Sequence, residues 1–192
     1  MGIGGSPRHG GNSDTLLGSI LAGAAPAGLT TEALHLRDHQ LQGCIGCEQC
    51  RTTGICTGLR DGMTVIYPAV IAAQALVLVS PTHNYNLTSW MKAFIDRLYC
   101  FYQFDDERPR GWSSRLAGQG RKAVLAAVCE QQDERDMGFT LPAMRRPLEA
   151  LGYEIVGELA VVGIFDRARV KKRDDILDRA VQLGADLAAA IP

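Results

Sequence analysis

Four of the chain's six cysteines crowd into one short segment, as Cys44, Cys47, Cys50 and Cys56, with the spacing C-x2-C-x2-C-x5-C. Such clustering in a cytosolic chain reads as metal or redox chemistry before disulfides. Three thiolates at this spacing can wrap one face of an iron–sulfur cubane, and a fourth nearby can close it. The bacterial ferredoxin run is close to this pattern, but its fourth cysteine follows after three residues and is succeeded by proline. Two other readings stay open. Four thiolates suit tetrahedral zinc, for which this spacing is unusual. Alternatively, the cysteines carry no metal and act as redox thiols or loop packing. Gly46 and Gly54 let the chain turn sharply here. Cys100 and Cys129 lie outside the motif and are expected to be free and buried.

A second constellation opens the chain, Gly4-Gly5-Ser6-Pro7-Arg8-His9-Gly10-Gly11-Asn12-Ser13-Asp14-Thr15. It is neither the dinucleotide fingerprint nor a Walker loop. Its residue types nonetheless suit an anion. Glycines allow tight turns and close approach of backbone to ligand. Ser6, Ser13 and Thr15 offer hydroxyls, Asn12 an amide, and Arg8 a fork matched to phosphate oxygens. Asn12 or Ser13 is expected to cap the following helix, whose free N–H groups then point at the same spot. About five such donors at roughly 1.5 kcal/mol net each reach about 7 kcal/mol, near micromolar binding.

A third stretch, Ser80-Pro81-Thr82-His83-Asn84-Tyr85-Asn86, follows the most apolar run in the chain. His83 and Tyr85 can stack on or edge a planar ring, and Asn84 and Asn86 can bond its polar rim. Phosphate at one loop and a flat heteroaromatic ring at the other describe a mononucleotide such as FMN, provided that the fold brings the loops together.

The elements that must do so alternate. Ala75–Val79, Ala123–Val128 and Leu159–Val162 are apolar runs of the kind buried on both faces of a parallel sheet, with weaker strands at Met1–Gly4 and Thr31–Leu36. Helical stripes lie at Leu17, Leu21 and Ala24; at Met91, Phe94, Ile95 and Leu98; at Met144, Leu148 and Leu151, stopped by Gly152; and at Ile176, Ala180, Leu183, Leu187 and Ile191. This alternation predicts an α/β doubly wound sheet of five parallel strands in the order 2-1-3-4-5. One domain is expected over residues 1–192. In that order strands one and three are neighbours at the switch point, where ligands lie. Two long loops remain. The segment 37–61 is a Cys-rich insertion; the second runs from Gln103 to Gly120, and the aromatics Tyr99, Phe101, Tyr102, Phe104 and Trp112 leading into it suit a core, an interface or a lid over the ring. The first strand is so short that the true start is expected upstream.

The bulk properties exclude some partners. Lys+Arg 20 against Asp+Glu 21 leaves a net charge of -1, without the basic excess of a nucleic-acid binder. The local patch Arg167 to Arg173 reads as a solvated helix start. The longest apolar stretch, near Val65 to Val79, is interrupted by Pro68 and Gln74 and is too short to span a bilayer. No secretory signal is visible, and the acylation-like Met1-Gly2-x-x-x-Ser6 has a better use for its glycines in the loop. The expectation is a cytoplasmic protein.

Ser6-Pro7-Arg8 with Asn12-Ser13, Ser80-Pro81-Thr82-x-Asn84-Tyr85-Asn86 and Met91-Lys92-Ala93-Phe94-Ile95-Asp96-Arg97 resemble the flavodoxin-like NAD(P)H-dependent FMN reductases. The cysteine segment resembles their iron–sulfur flavoprotein branch, and the likeness runs from residue 1 to about 165. It implies non-covalent FMN, with phosphate on the first loop and isoalloxazine on the second, and association into homodimers or homotetramers. It also implies one [4Fe-4S] cluster on all four cysteines, and NAD(P)H or a ferredoxin-like protein as the electron donor. The acceptor is then a small molecule such as a quinone or flavin. Position 83 is commonly aromatic in such proteins, and His83 departs from that. Cys129-Glu130-Gln131-Gln132-Asp133 stands where relatives often carry a Gly-rich loop. The competing reading is a non-enzymatic electron carrier or redox sensor using FMN and a four-cysteine cluster.

Overall fold

The structure is a computed structural model and describes residues 1–191. Its central sheet joins β1 (Gly2–Gly4), β2 (Ala33–His35), β3 (Ala75–Pro81), β6 (Lys122–Val128) and β7 (Glu154–Val161) in the order β2-β1-β3-β6-β7, all parallel. This is the expected 2-1-3-4-5 order. The two strands omitted from it, β4 (Tyr102–Phe104) and β5 (Trp112–Ser114), form a separate antiparallel hairpin inside the second long loop.

Successive residues of a strand face opposite sides, and the core divides accordingly. Leu76 and Leu78 join Ala123, Leu125 and Ala127 under α3 (Met63–Ala72), α4 (Ser89–Arg97) and α5 (Thr140–Leu151). Val77 and Val79 join Val124, Ala126 and Val128 under α1 (Asn12–Ala24) and α6 (Asp174–Ala190). The helical stripes read from sequence supply the buried faces, and Gly152 ends α5 at φ 94. α1 and α6 touch backbone to backbone. A Cβ on Gly23 would stand 1.9 Å from the Val181 carbonyl oxygen, and one on Gly184 1.9 Å from that of Ile20. β1 is glycine-flanked for a related reason, since a Cβ on Gly2 would meet Leu17 at 2.7 Å.

Three differences from the sequence expectation have physical causes. The apolar stretch Val65 to Val79 is two elements, α3 and β3, parted at Gln74. Proline inside a helix removes a hydrogen bond at a cost of about 3 kcal/mol. α3 nonetheless keeps Pro68, because Met63, Ile66 and Val70 seal its inner face on the sheet. β7 begins five residues before Leu159, its edge position leaving it half-buried and so less continuously apolar. Arg167–Arg173 is not a plain helix start but a loop ending in a 3-10 turn, Arg169–Lys172, ahead of α6. No helix among the described residues is long and apolar enough to cross a membrane.

Candidate flavin cleft and cysteine centre

The loops after β1 and β3 do converge. Ser6, Arg8, Asn12 and Ser13 line one side of a cleft at the C-terminal ends of the strands, and Pro81, Thr82 and His83 line the other. The cleft holds about 600 Å³ counting its open mouth. The Gly5 amide donates to the Val79 carbonyl (2.8 Å), so the loops are bonded where they diverge. The buried Thr88 hydroxyl donates to the Gly5 carbonyl (2.7 Å) and accepts from the Met91 amide, capping α4 and tying it to the first loop.

The donor set suits phosphate. Ser6 and Ser13 are 4% and 3% exposed. The amides of Asn12, Ser13 and Asp14, at the start of α1, have no carbonyl partner among the described residues. Free N–H groups and the helix dipole favour an anion there. The expected side-chain cap is not formed, because Gly11 occupies the cap position. Asn12 is the first helical residue, and its amide group is committed elsewhere. It donates to the Asp166 carbonyl (2.9 Å) and accepts from the Val170 amide (3.0 Å). Thr15 is a turn deeper, where its hydroxyl bonds the Gly11 carbonyl (3.0 Å) and lines no part of the cleft.

On the second loop, Asn84 and Tyr85 take positive φ (49 and 63), within a turn that His83 and Asn86 close by mutual amide–carbonyl bonds of 2.7 and 3.1 Å. Asn84, Tyr85 and Asn86 lie beyond the cleft lining, and the Asn86 carboxamide accepts from the Leu87 amide (2.9 Å). Thr82 meets the Thr140 hydroxyl at 3.0 Å. Since Thr140 itself donates to the Met137 carbonyl (2.7 Å), Thr82 is the donor of that pair.

A third wall, not assigned to the site from sequence, comes from Glu130, Phe165 and Arg167. Arg8 stacks 4.7 Å above the Phe165 ring and donates to its carbonyl (3.2 Å), which brings two arginines to one mouth. Glu130 lies in the segment that stands where relatives often carry a Gly-rich loop; for Arg167 the one sequence signal is its basic run, which reads as a solvated helix start. Arg37 was likewise placed only at the start of the cysteine loop. Its guanidinium in fact reaches back onto the first loop.

Cys44, Cys47, Cys50 and Cys56 all line one separate pocket with Arg97 and Tyr99. All four are free thiols, Cys44 and Cys47 exposed and the other two half-buried. Burial, then the nearby Cys56 thiol, with smaller effects from Cys44 and Cys47, pushes the Cys50 thiol up from its ordinary range. Among the described residues no three His, Cys, Asp or Glu side chains converge as a single metal ion needs.

The segment is anchored from below. Lys92 and Asp96 form an exposed pair on α4, but Arg97 turns inward. Its side chain and that of Asp61 are 1% and 3% exposed and bond at 2.6 and 3.2 Å. Arg97 also donates to the Gln42 carbonyl (3.0 Å) and to the Cys56 sulfur (3.5 Å). Burial alone would raise the Asp61 carboxyl, but the Arg97 bonds, together with those from the Gln42 and Met63 amides, outweigh it and hold the group below its ordinary value. Tyr99, Tyr102, Phe104 and Trp112 pack on one another beside this segment, and none lines the flavin cleft. Cys100 and Cys129 are buried, as expected; burial first, then the Cys50 thiol, pushes Cys100 up to about 11.

Residues 1–132 match the family model for NADPH-dependent FMN reductase. An iron–sulfur flavoprotein of Archaeoglobus fulgidus is 30% identical over 190 residues, covering 99% of this chain and 79% of that protein. One from Methanosarcina thermophila is 31% identical over 96 residues, half of each chain. Among solved structures, an NAD(P)H:quinone oxidoreductase from Methanothermobacter marburgensis superposes with a TM-score of 0.71 at 19% identity, over 97% of this chain and 96% of that one. A flavone reductase superposes at 0.73 and 14% identity, over 99% of this chain and 62% of that one. At such identities these structures speak to the fold, which is flavodoxin-like. The chain belongs to the NADPH-dependent FMN reductase family, within its iron–sulfur flavoprotein branch, and is an FMN-dependent oxidoreductase.

Proposed function

We propose that the chain is an NAD(P)H- or ferredoxin-linked reductase of a small acceptor such as a quinone or flavin, with FMN in the switch-point cleft and a [4Fe-4S] cluster on Cys44, Cys47, Cys50 and Cys56. The observation that carries this is the single cleft shared by the loops after β1 and β3, with buried hydroxyls, free helix amides and two arginines on its phosphate side. Ser6, Ser13, Arg8 and Arg167 bind and orient the phosphate, and Pro81, Thr82 and His83 border the ring. FMN supplies the redox chemistry at its N5, so no protein acid or base is required.

Four thiols line one pocket, and the similarity to an iron–sulfur flavoprotein favours a cluster over zinc as their ligand. A cubane spreads its ligands over several irons, whereas zinc draws all four to one centre. Arg97 places a buried positive charge against Cys56, which offsets the negative charge of the thiolates. Association into a homodimer or homotetramer belongs to the same proposal, supported by the exposed side chains of Tyr85 in the second loop and of Phe139, whose amide bonds the Tyr85 carbonyl.

Anaerobically purified protein tests all of this together. The expected result is flavin absorbance, iron with acid-labile sulfide, and steady NAD(P)H oxidation with a quinone. Flavin-stripped protein that leaves added FMN fluorescence unquenched would sink the cleft assignment. Zinc without sulfide would sink the cluster. Reduction without turnover would leave an electron carrier.

A further inference from the structure

The first loop contains a carboxylate where an anion is to bind. Asp14 sits in the first turn of α1 and accepts from the Gly10 amide at 2.8 Å. Its negative charge serves the helix terminus but opposes a phosphate placed at the same terminus. One side chain answers this conflict. Arg37, from the 3-10 turn Leu36–Asp38 that follows β2, donates to both Asp14 carboxylate oxygens, each at 2.9 Å. The same guanidinium donates to the carbonyls of Ser6 and Arg8, both at 3.1 Å, and to His9 Nδ1 at 3.2 Å. Its side chain is buried, and among the described residues its only other acidic neighbour is Asp38 at 3.8 Å. His35 Nδ1 stands 3.4 Å from Asp14 Oδ1, one of the two oxygens that Arg37 bonds.

We infer that Arg37 is the positioning residue that makes this loop selective for a phosphate-bearing flavin: it cancels the Asp14 charge and fixes the Ser6–Pro7 and Arg8–His9 peptide planes from behind. The inference rests on the proposal that FMN phosphate lies on this loop. Arg37 itself lines no part of the cleft. Its planar fork serves the loop and the first turn of α1 at once, which a lysine ammonium cannot match.

The charge role separates from a merely structural one by comparing two flavins that differ only in the phosphate. Flavin-stripped wild type and variants are titrated with FMN and with riboflavin by fluorescence quenching. Wild type is expected to prefer FMN by about 100-fold or more, the worth of at least one or two charge-assisted bonds. Arg37→Ala is expected to weaken FMN by about 30-fold and riboflavin by under about 3-fold. Adding Asp14→Asn to that variant is expected to restore about tenfold of the FMN affinity, by removing the exposed carboxylate. Asp14→Asn alone, which leaves the arginine in place, is expected to bind FMN at least as tightly as wild type.

Equal loss of both flavins in Arg37→Ala, or no recovery in the double variant, overturns the inference. A tenfold weaker FMN affinity in Asp14→Asn alone overturns it too, and that variant covers the case in which Arg37→Ala does not fold. A wild type that binds riboflavin as well as FMN removes the phosphate assignment itself, a separate failure visible before any variant is made.

Discussion

The two sites sit at opposite ends of one helix and are built in opposite ways. α4 has nine residues, about 13 Å at 1.5 Å each. At its start, Thr88 fastens the first loop; at its end, Arg97 fastens the cysteine segment. The first loop is organised by the protein alone, with Ser6, Asn12 and Ser13 buried and Arg37 bonded along its length. The cysteine segment carries Ile45 at 62% and Ile55 at 55% exposed, and outside the short helix α2 (Cys50–Thr53) it has no regular structure. Its order comes from beneath, from Arg97 and Asp61, and from the side, where Arg115 donates to the Gly54 carbonyl. A preformed cradle needs little reorganisation to bind its ligand. A segment held only at its base and one side would leave part of its ordering to any ligand it binds.

Substitutions can break this contrast, and the largest effect belongs at the cysteines. Cys50→Ser is expected to abolish iron and sulfide incorporation while FMN affinity stays within about threefold of wild type, an equilibrium shift below about 0.7 kcal/mol. Metal analysis beside a flavin titration checks it, and parallel loss of FMN would show that the two sites are not independently built.

Next is the shared anchor. Arg97→Met leaves the Asp61 carboxylate buried without its partner, and breaking such a pair costs about 3–5 kcal/mol. Denaturant unfolding reads this directly. The Asp61 carboxyl is held below its unfolded value. Its stabilising contribution is therefore fully present above the unfolded carboxylate range of about 4 and is lost as pH falls through the lower folded value. Wild type should lose stability over that acid interval more steeply than Asp61→Asn, which has no such proton to take up. Identical acid profiles would show that the pair contributes no pH dependence.

The smallest effect sharpens the comparison on the cleft side. Asn12→Ala unties α1 from the segment carrying Phe165 and Arg167, leaving the Val170 amide buried and unpaired at about 1–3 kcal/mol. FMN affinity should fall by less than for Arg37→Ala, and protease cleavage near Arg167 should rise. Unchanged cleavage would remove Asn12 as the tie.

How much of this was legible beforehand depended on whether a residue's role lay in local pattern or in distant contact. Leu76 to Val79 read as a doubly buried strand because every residue of it is apolar. Gly152 read as a stop because a helix end favours glycine at positive φ. Asn12 read as a cap or an anion donor because nothing local reveals a partner 158 residues further on. The pairing of Arg97 was not legible, because its spacing from Lys92 and Asp96 carries no sign of Asp61, a residue of another segment. α3 was hidden for a different reason, since its exposed Val65 and Ile71 blur the amphipathic contrast that marks a helix.

By itself, the sequence determined the alternation of strands and helices, the sheet order that alternation implies, and the chemical character of the two candidate sites. These depend on residue type and short spacing, which the chain states outright. Only the tertiary structure decided that Phe165 and Arg167 close the cleft, that Arg37 neutralises Asp14, and that a buried ion pair underlies the cysteines. Each of these joins residues far apart in the chain, and such contacts exist only once the sheet has set its strands side by side.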